Sequence, residues 1–274
     1  MNSFRSTNFT LSHPLPQVHY STIDHKPYDE EEKNRIEKAG GMVIIQRING
    51  ALAVSRALGD FDYKRNTSVP AREQQVSALP VIQVLNREIK GADGSSSSAE
   101  HDSYAVLACD GIYDTISNEN LSKYITYKLL SGSSINEVTK SCLDLCLTLG
   151  SRDNMSICIV DLGNIPKPIE SLKDREQKLD KEIEDMLDHE LKENPEYRNY
   201  QNFATPSDKI FYDLYMNGKL KEKCGENYIF SPQAEIRTGP TPQNSYNGGY
   251  VDKHRVIRKH LEKLQEQKGG TEAK

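Results

Sequence analysis

The chain has no long hydrophobic run. Its longest apolar stretches are about six residues, against the roughly 20 a helix needs to cross a bilayer. The opening "MNSFRSTNFTLSHPLPQ" lacks an apolar core of signal-peptide type, so the reading is a cytoplasmic protein, or one shared between cytosol and nucleus. Net positive charge is missing as well: the formal charge is −5 and the pI about 5.9. That balance argues against a nucleic-acid binder, which needs a basic face to neutralise phosphates. Paired cysteine motifs are absent. Five cysteines stand at 109, 142, 146, 158 and 224. Cys142 and Cys146 would share a helix face, but no second pair completes a zinc site, and buried free thiols are the simpler reading. No internal repeat is visible.

What is present is a soluble-type composition with 36% hydrophobic and 27% charged residues over 274 positions. That suits one large domain, or a domain with an appendage. Residues 1–16 read as an irregular leader. Residues 17–163 interleave strand-like and helix-like runs. Residues 164–274 read as a charged helical region, with a poorly ordered insert expected near 221–249, where prolines and glycines break any period.

Within the central zone "QVHYSTI" and "VIQVLNRE" read as strands. "DEEEKNRIEKAGG" reads as a helix with acids in its first turn and glycines at its end. "MVIIQRINGALAVS" reads as a hairpin turning at Asn49–Gly50, a pair that tolerates positive φ. "SYAVLACD" and "NMSICIVDL" read as core strands. "NENLSKYITYKLL" and "SINEVTKSCLDLCLTLG" read as helices, the second capped by Ser134 and closed by Gly150. The hairpin makes the sheet at least partly antiparallel, which gives an α+β fold class. Further on, Leu172, Leu179, Ile183, Met186, Leu187 and Leu191 recur at helical spacing. Ile257, Leu261 and Leu264 do the same in a final helix. That helix also carries Lys253, Arg255, Arg258, Lys259 and Lys263, which read as a solvated polar face, with an acidic partner or a membrane surface as the alternative.

Two aspartates flank the two core strands. Asp110 ends "SYAVLACD" and Asp153 precedes "NMSICIVDL", with Asp114 one turn beyond Asp110. If the strands are antiparallel neighbours, both carboxylates fall at one edge. Without His or Cys partners they would suit Mg²⁺ or Mn²⁺. Asp-Gly and Asp-Asn are also ordinary turn pairs, and spacing alone leaves both readings open.

The segments "DHKPYDEEEKNRIEKAGGMVIIQRINGALAVSRALGDFDYK", "LACDGIYDTISNENL" and "GSRDNMSICIV" closely resemble three consecutive motif blocks of the metal-dependent serine/threonine protein phosphatases of type 2C. The later helices resemble the helical appendage of that family's animal alpha/beta-like branch. The resemblance implies a four-layer α-β-β-α sandwich carrying two Mg²⁺ or Mn²⁺ ions, with a more weakly held third. The ions would activate a water that hydrolyses phosphoserine and phosphothreonine on phosphoprotein substrates. Asp110 and Asp153 match family aspartates that bind the metal pair, and Asp114 matches one associated with the third ion. Arg56 lies in the segment beside the active site, where it would meet substrate, support the flap or make a structural salt bridge.

The family's Arg-x-x-x-Glu-Asp strand and Asp-Gly-His strand end have no counterpart here. With them go the phosphate-binding arginine, the remaining metal carboxylates and a histidine. The expectation is therefore a sandwich incomplete in its N-terminal half, with half the metal site and little or no activity alone. A non-catalytic binding or regulatory fragment is the alternative reading. Substrate identity and oligomeric state are not legible.

Overall fold

Three glutamates open the first helix and two glycines close it, as the helix dipole and the left-handed C-terminal turn favour. This is α1, Glu30–Lys38; Gly40 follows at φ +83° and the Gly41 amide returns to the Ile36 carbonyl. The structure, a computed structural model, describes residues 18–85, 102–194, 210–211, 213–214, 217–224 and 251–269. The chain divides into two compact units, one spanning 20–97 and the other joining 1–19 to 98–274. That division falls inside the stretch read from sequence as one partial domain.

In the first unit α1 is followed by a short antiparallel ladder of β1 (Val43–Ile44) and β2 (Arg47–Ile48). Two tight turns follow one another: Ile45–Gln46, at φ +50° and +62°, joins β1 to β2, and the expected turn at Asn49–Gly50 brings Leu52 back to Ile48 as a single antiparallel bridge. Asn49 and Gly50 do take positive φ, in the next turn. Asn49 also holds the first of these ladders. Its amide donates to the Met42 carbonyl and its side chain accepts from the Met42 amide, so Asn49 clamps the ladder's open end. Ile36, Ile48 and Val76 form a small core. Residues 18–23 and 81–85, read as strands, are not in strands; they find no ladder, and Ile23 and Ile82 are exposed. Residues 86–88 of the second run lie outside the described residues.

The second unit is built on β3 (Tyr104–Ala108) and β4 (Ile157–Asp161), antiparallel with Ala108 opposite Ile157 and Tyr104 opposite Asp161. Between them run α2 (Asp110–Tyr113), α3 (Asn118–Leu130) and α4 (Ile135–Thr148). The long α5 (Glu170–Glu193), the short α6 (Lys219–Cys224) and α7 (Val251–Gly269) follow. Ser134 begins α4 with a full capping box to Glu137, and Gly150 at φ +93° ends it. One face of the ladder (Tyr104, Val106, Ala108, Ile157 and Ile159) packs on a core that α3, α4, α5 and α7 share. The other face is uncovered: Leu107, Cys158 and Val160 are exposed.

Cys142, Cys146 and Cys224 are buried free thiols, as read from sequence. Cys158 is exposed because the strand's alternation turns it to the uncovered face. Of the insert expected near 221–249, residues 221–224 belong to α6, and 225–249 lie outside the described residues. The basic α7 is not simply solvated: Lys253 is 1% exposed and paired with Glu176 and Asp180 of α5. No described helix is long and apolar enough to cross a membrane. Helices and small antiparallel ladders together make the fold α+β.

Candidate functional site

Because β3 and β4 are antiparallel, the exit of one lies beside the entry of the other. The Cys109 amide donates to the Ser156 carbonyl at 3.1 Å, extending the ladder one step past its last strand pair. Cys109 Sγ donates to the Asn154 carbonyl and accepts from the Ser156 amide, each at 3.2 Å. Those bonds to Ser156 draw the thiol below its usual range. Ser151 Oγ donates to the Gly111 carbonyl at 2.8 Å. Gly111 sits so close to the 154 backbone that a Cβ there would lie 2.4 Å from the Asn154 oxygen. The turn carrying Asp110 and the loop carrying Asp153 are thus fastened through three residues, Cys109, Gly111 and Ser151.

Asp110 opens α2 and Asp114 caps it, the Asp114 amide donating to the Asp110 carbonyl at 2.7 Å. Asp110 Oδ1 accepts from the Gly111 amide at 3.0 Å, and Asp153 Oδ1 from the Asn154 amide at 2.7 Å. All three side chains are exposed, and among the described residues none is ion-paired with a Lys or Arg. Carboxylates left without a cationic partner at one end of a ladder are hard oxygen donors of the kind Mg²⁺ and Mn²⁺ take. Their chemistry fits such an ion, but as part of a donor set. Among the described residues no group of three or more His, Cys, Asp or Glu side chains converges to hold a metal.

Arg56 is in the other unit and is engaged there. Its Nε and Nη2 donate to the Glu32 carboxylate, the shortest at 2.6 Å, and its Nη1 donates to the Leu79 carbonyl at 3.0 Å. Arg35 donates to the same carboxylate at 2.8 Å and to the Ser55 carbonyl at 2.7 Å. Burial pushes Glu32 up, but the bonds from Arg56, Ser55 and Arg35 outweigh it and hold the carboxyl at about 2. This geometry corresponds to the salt-bridge alternative for Arg56.

Sequence reasoning passed over Cys109, Gly111 and Ser151 as parts of the site. The signal available was position: each lies within two residues of Asp110 or Asp153, and a strand exit beside a strand entry needs something to join them.

A family model described as "Protein phosphatase 2C" matches residues 11–155. Protein phosphatase 1B of Mus musculus is 43% identical over 180 residues, covering 66% of this chain and 43% of that protein. Protein phosphatase 1A of Oryctolagus cuniculus is 42% identical over 180 residues, covering 66% of this chain and 44% of that one. A solved phosphatase from Toxoplasma gondii shares 32% identity at a TM-score of 0.44, covering 52% of this chain and 41% of that one. The chain spans less than half the length of the curated relatives it matches. Its match to the family model covers more than half of its own length and takes in Asp110, Asp114 and Asp153: the chain belongs to the protein phosphatase 2C family.

Proposed function

We propose that the protein serves in Mg²⁺- or Mn²⁺-dependent hydrolysis of phosphoserine and phosphothreonine on protein substrates. The observation that carries this reading is the fastening of the Asp110 turn to the Asp153 loop at one end of the β3–β4 ladder, in a chain of this family. Asp110 and Asp153 would hold a pair of ions, with Asp114 beside a weaker third. When bound, such ions lower the pKa of a water and neutralise charge on the phosphoryl oxygens. The chain's own residues position the donors: Cys109, Gly111 and Ser151 set the distance between the two loops, and β3 and β4 supply the rigid support.

In the longer phosphatase domain, the uncovered face with Leu107, Cys158 and Val160 would stack on a second sheet, giving the four-layer α-β-β-α sandwich the family resemblance implies. Site of action would be the cytosol, with the nucleus also open to it.

The test is an assay of a phosphothreonine peptide with Mn²⁺, beside Asp110→Asn and Asp153→Asn. Turnover by this chain alone should be slight or nil, because an ion that gives up its hydration water reluctantly needs more donors than two or three carboxylates. Whatever turnover is seen should vanish without metal and in both variants. Robust turnover lost in Asp110→Asn would show that these donors suffice. Turnover that survives removal of the metal would remove the ions from the reaction.

A further inference from the structure

Down α5, Glu176, Asp180, Glu184 and Asp188 recur every four residues and so form one column along the helix. The terminal helix answers that column group by group. Lys253 Nζ lies 2.9 Å from Glu176 Oε2 and 2.7 Å from Asp180 Oδ1. Lys263 Nζ is 3.4 Å from Glu184, and His260 Nε2 is 2.8 Å from Asp188. On the other side of α7, Arg258 Nη2 is 2.9 Å from Asp144 of α4. The Glu137 carboxyl, held low first by Ser134, is lowered further by Arg255 and Lys259.

Among the described side chains, α7 buries fewer aliphatics than α5 does. Among the described side chains of α7, Ile257 is the aliphatic that is fully buried, with Val256 and Leu261 packed in part. By contrast α5 sinks Leu172, Leu179, Ile183 and Leu187. Lys253 loses its hydration in the seat, which offsets much of what its pairing gains, whereas Asp180, Asp188 and Lys263 stay partly in water and open to screening by salt. A seat made mainly of such pairs is therefore selective for charge pattern while remaining reversible. Residues 225–250 separate α6 from α7 in the sequence, so α7 is tethered to its seat from a distance along the chain.

We propose that the α4–α5 face is a receptor for a basic amphipathic helix, filled in cis by α7 and, when α7 yields, by a basic helical segment of a partner protein. Charge complementarity selects that occupant. A helix with basic groups at the spacing of Lys253, His260 and Lys263 and an aliphatic at the place of Ile257 completes the column; an acidic or neutral helix leaves Asp180, Glu184 and Asp188 without those partners. Exchange at the seat reaches α3, because the Tyr127 hydroxyl donates to Glu176 at 2.5 Å. This proposal is independent of the phosphatase reading.

The test uses the full chain with a protease site placed within 225–250. After cleavage, the C-terminal piece is followed by size exclusion as salt rises from about 50 mM to about 500 mM, a range over which exposed charge pairs are progressively screened. A labelled peptide of residues 251–269 is then added back. The piece should stay bound at low salt and leave at high salt, and the peptide should bind at least about tenfold more weakly at high salt. A Lys253→Glu peptide should not bind the emptied chain but should bind its Asp180→Lys variant. Circular dichroism should show the emptied chain still folded. Retention of the piece at both salts, peptide binding indifferent to salt or to Lys253→Glu, or unfolding of the emptied chain would each overturn the proposal, since each would make α7 an ordinary core helix.

Discussion

Glu32 is 3% exposed and carries its charge between Arg35 and Arg56. Removing one partner of a buried ionic group costs more than the pair contributes, because the other is left unsolvated. The folded carboxyl sits at about 2, below the ordinary 4.5. A depressed carboxylate stabilises fully above its unfolded value, and the contribution disappears as pH falls through the folded one. The window is therefore pH 4.5 down to 2. At about 1.36 kcal/mol per pKa unit, the gap amounts to about 3 kcal/mol at most. Hydrogen exchange at α1 amides should show protection falling across that window, and Glu32→Gln should flatten the dependence. A pH profile identical in the variant would remove Glu32 as its source. Gly111 is the other residue with a single decisive contact. In Gly111→Ala the new methyl would meet the Asn154 carbonyl oxygen at 2.4 Å, and backbone cannot swing away as a side-chain tip does. The expected loss is about 1–3 kcal/mol, as for other overpacked sites, with faster exchange at the Ser156 amide. Urea denaturation checks the first and amide exchange the second; unchanged stability would contradict the close approach.

The strand β3 shows how an element's two faces differ in what they tolerate. Val106 faces the shared core and Leu107, 59% exposed, faces the uncovered side. Val106→Ala should cost about 1–2 kcal/mol. Leu107→Thr should stay within about 0.5 kcal/mol, although it removes the larger side chain. Thermal melts of the two variants check the pair, and equal losses would mean the uncovered face is covered. Elements whose stability is local were legible in the sequence. Asn118–Leu130 and Ile135–Thr148 follow their caps and periodicity, and the buried positions of α5 match its apolar spacing. What failed depends on partners that a one-dimensional pattern does not contain. Residues 18–23 and 81–85 have strand-like composition and no ladder. The turn at Ile45–Gln46 was not foreseen, beside the expected one at Asn49–Gly50 that brings Leu52 to Ile48. The four-residue column of acids on α5 was passed over, because its meaning depends on α7, about seventy residues away along the chain.

At the scale of the molecule, the described site is carried within one unit: Asp110, Asp114 and Asp153 lie at one end of the ladder, and Arg56 belongs to the other unit. The antiparallel order of two strands separated by three helices is what puts the aspartates at the same end of the ladder. Their flanking turns could be recognised from the sequence, whereas the contacts that fasten them, at Cys109, Gly111 and Ser151, needed coordinates. In the proposed function Asp110 and Asp153 act on one shared divalent site. Titration calorimetry with Mn²⁺ on the chain, Asp110→Asn, Asp153→Asn and the double variant tests it most directly. Residues acting on one ion are coupled, so each single variant should weaken Mn²⁺ binding by at least about tenfold and the double should add little to the worse single. Binding that survives both single changes, or losses that simply add in the double variant, would contradict a shared site.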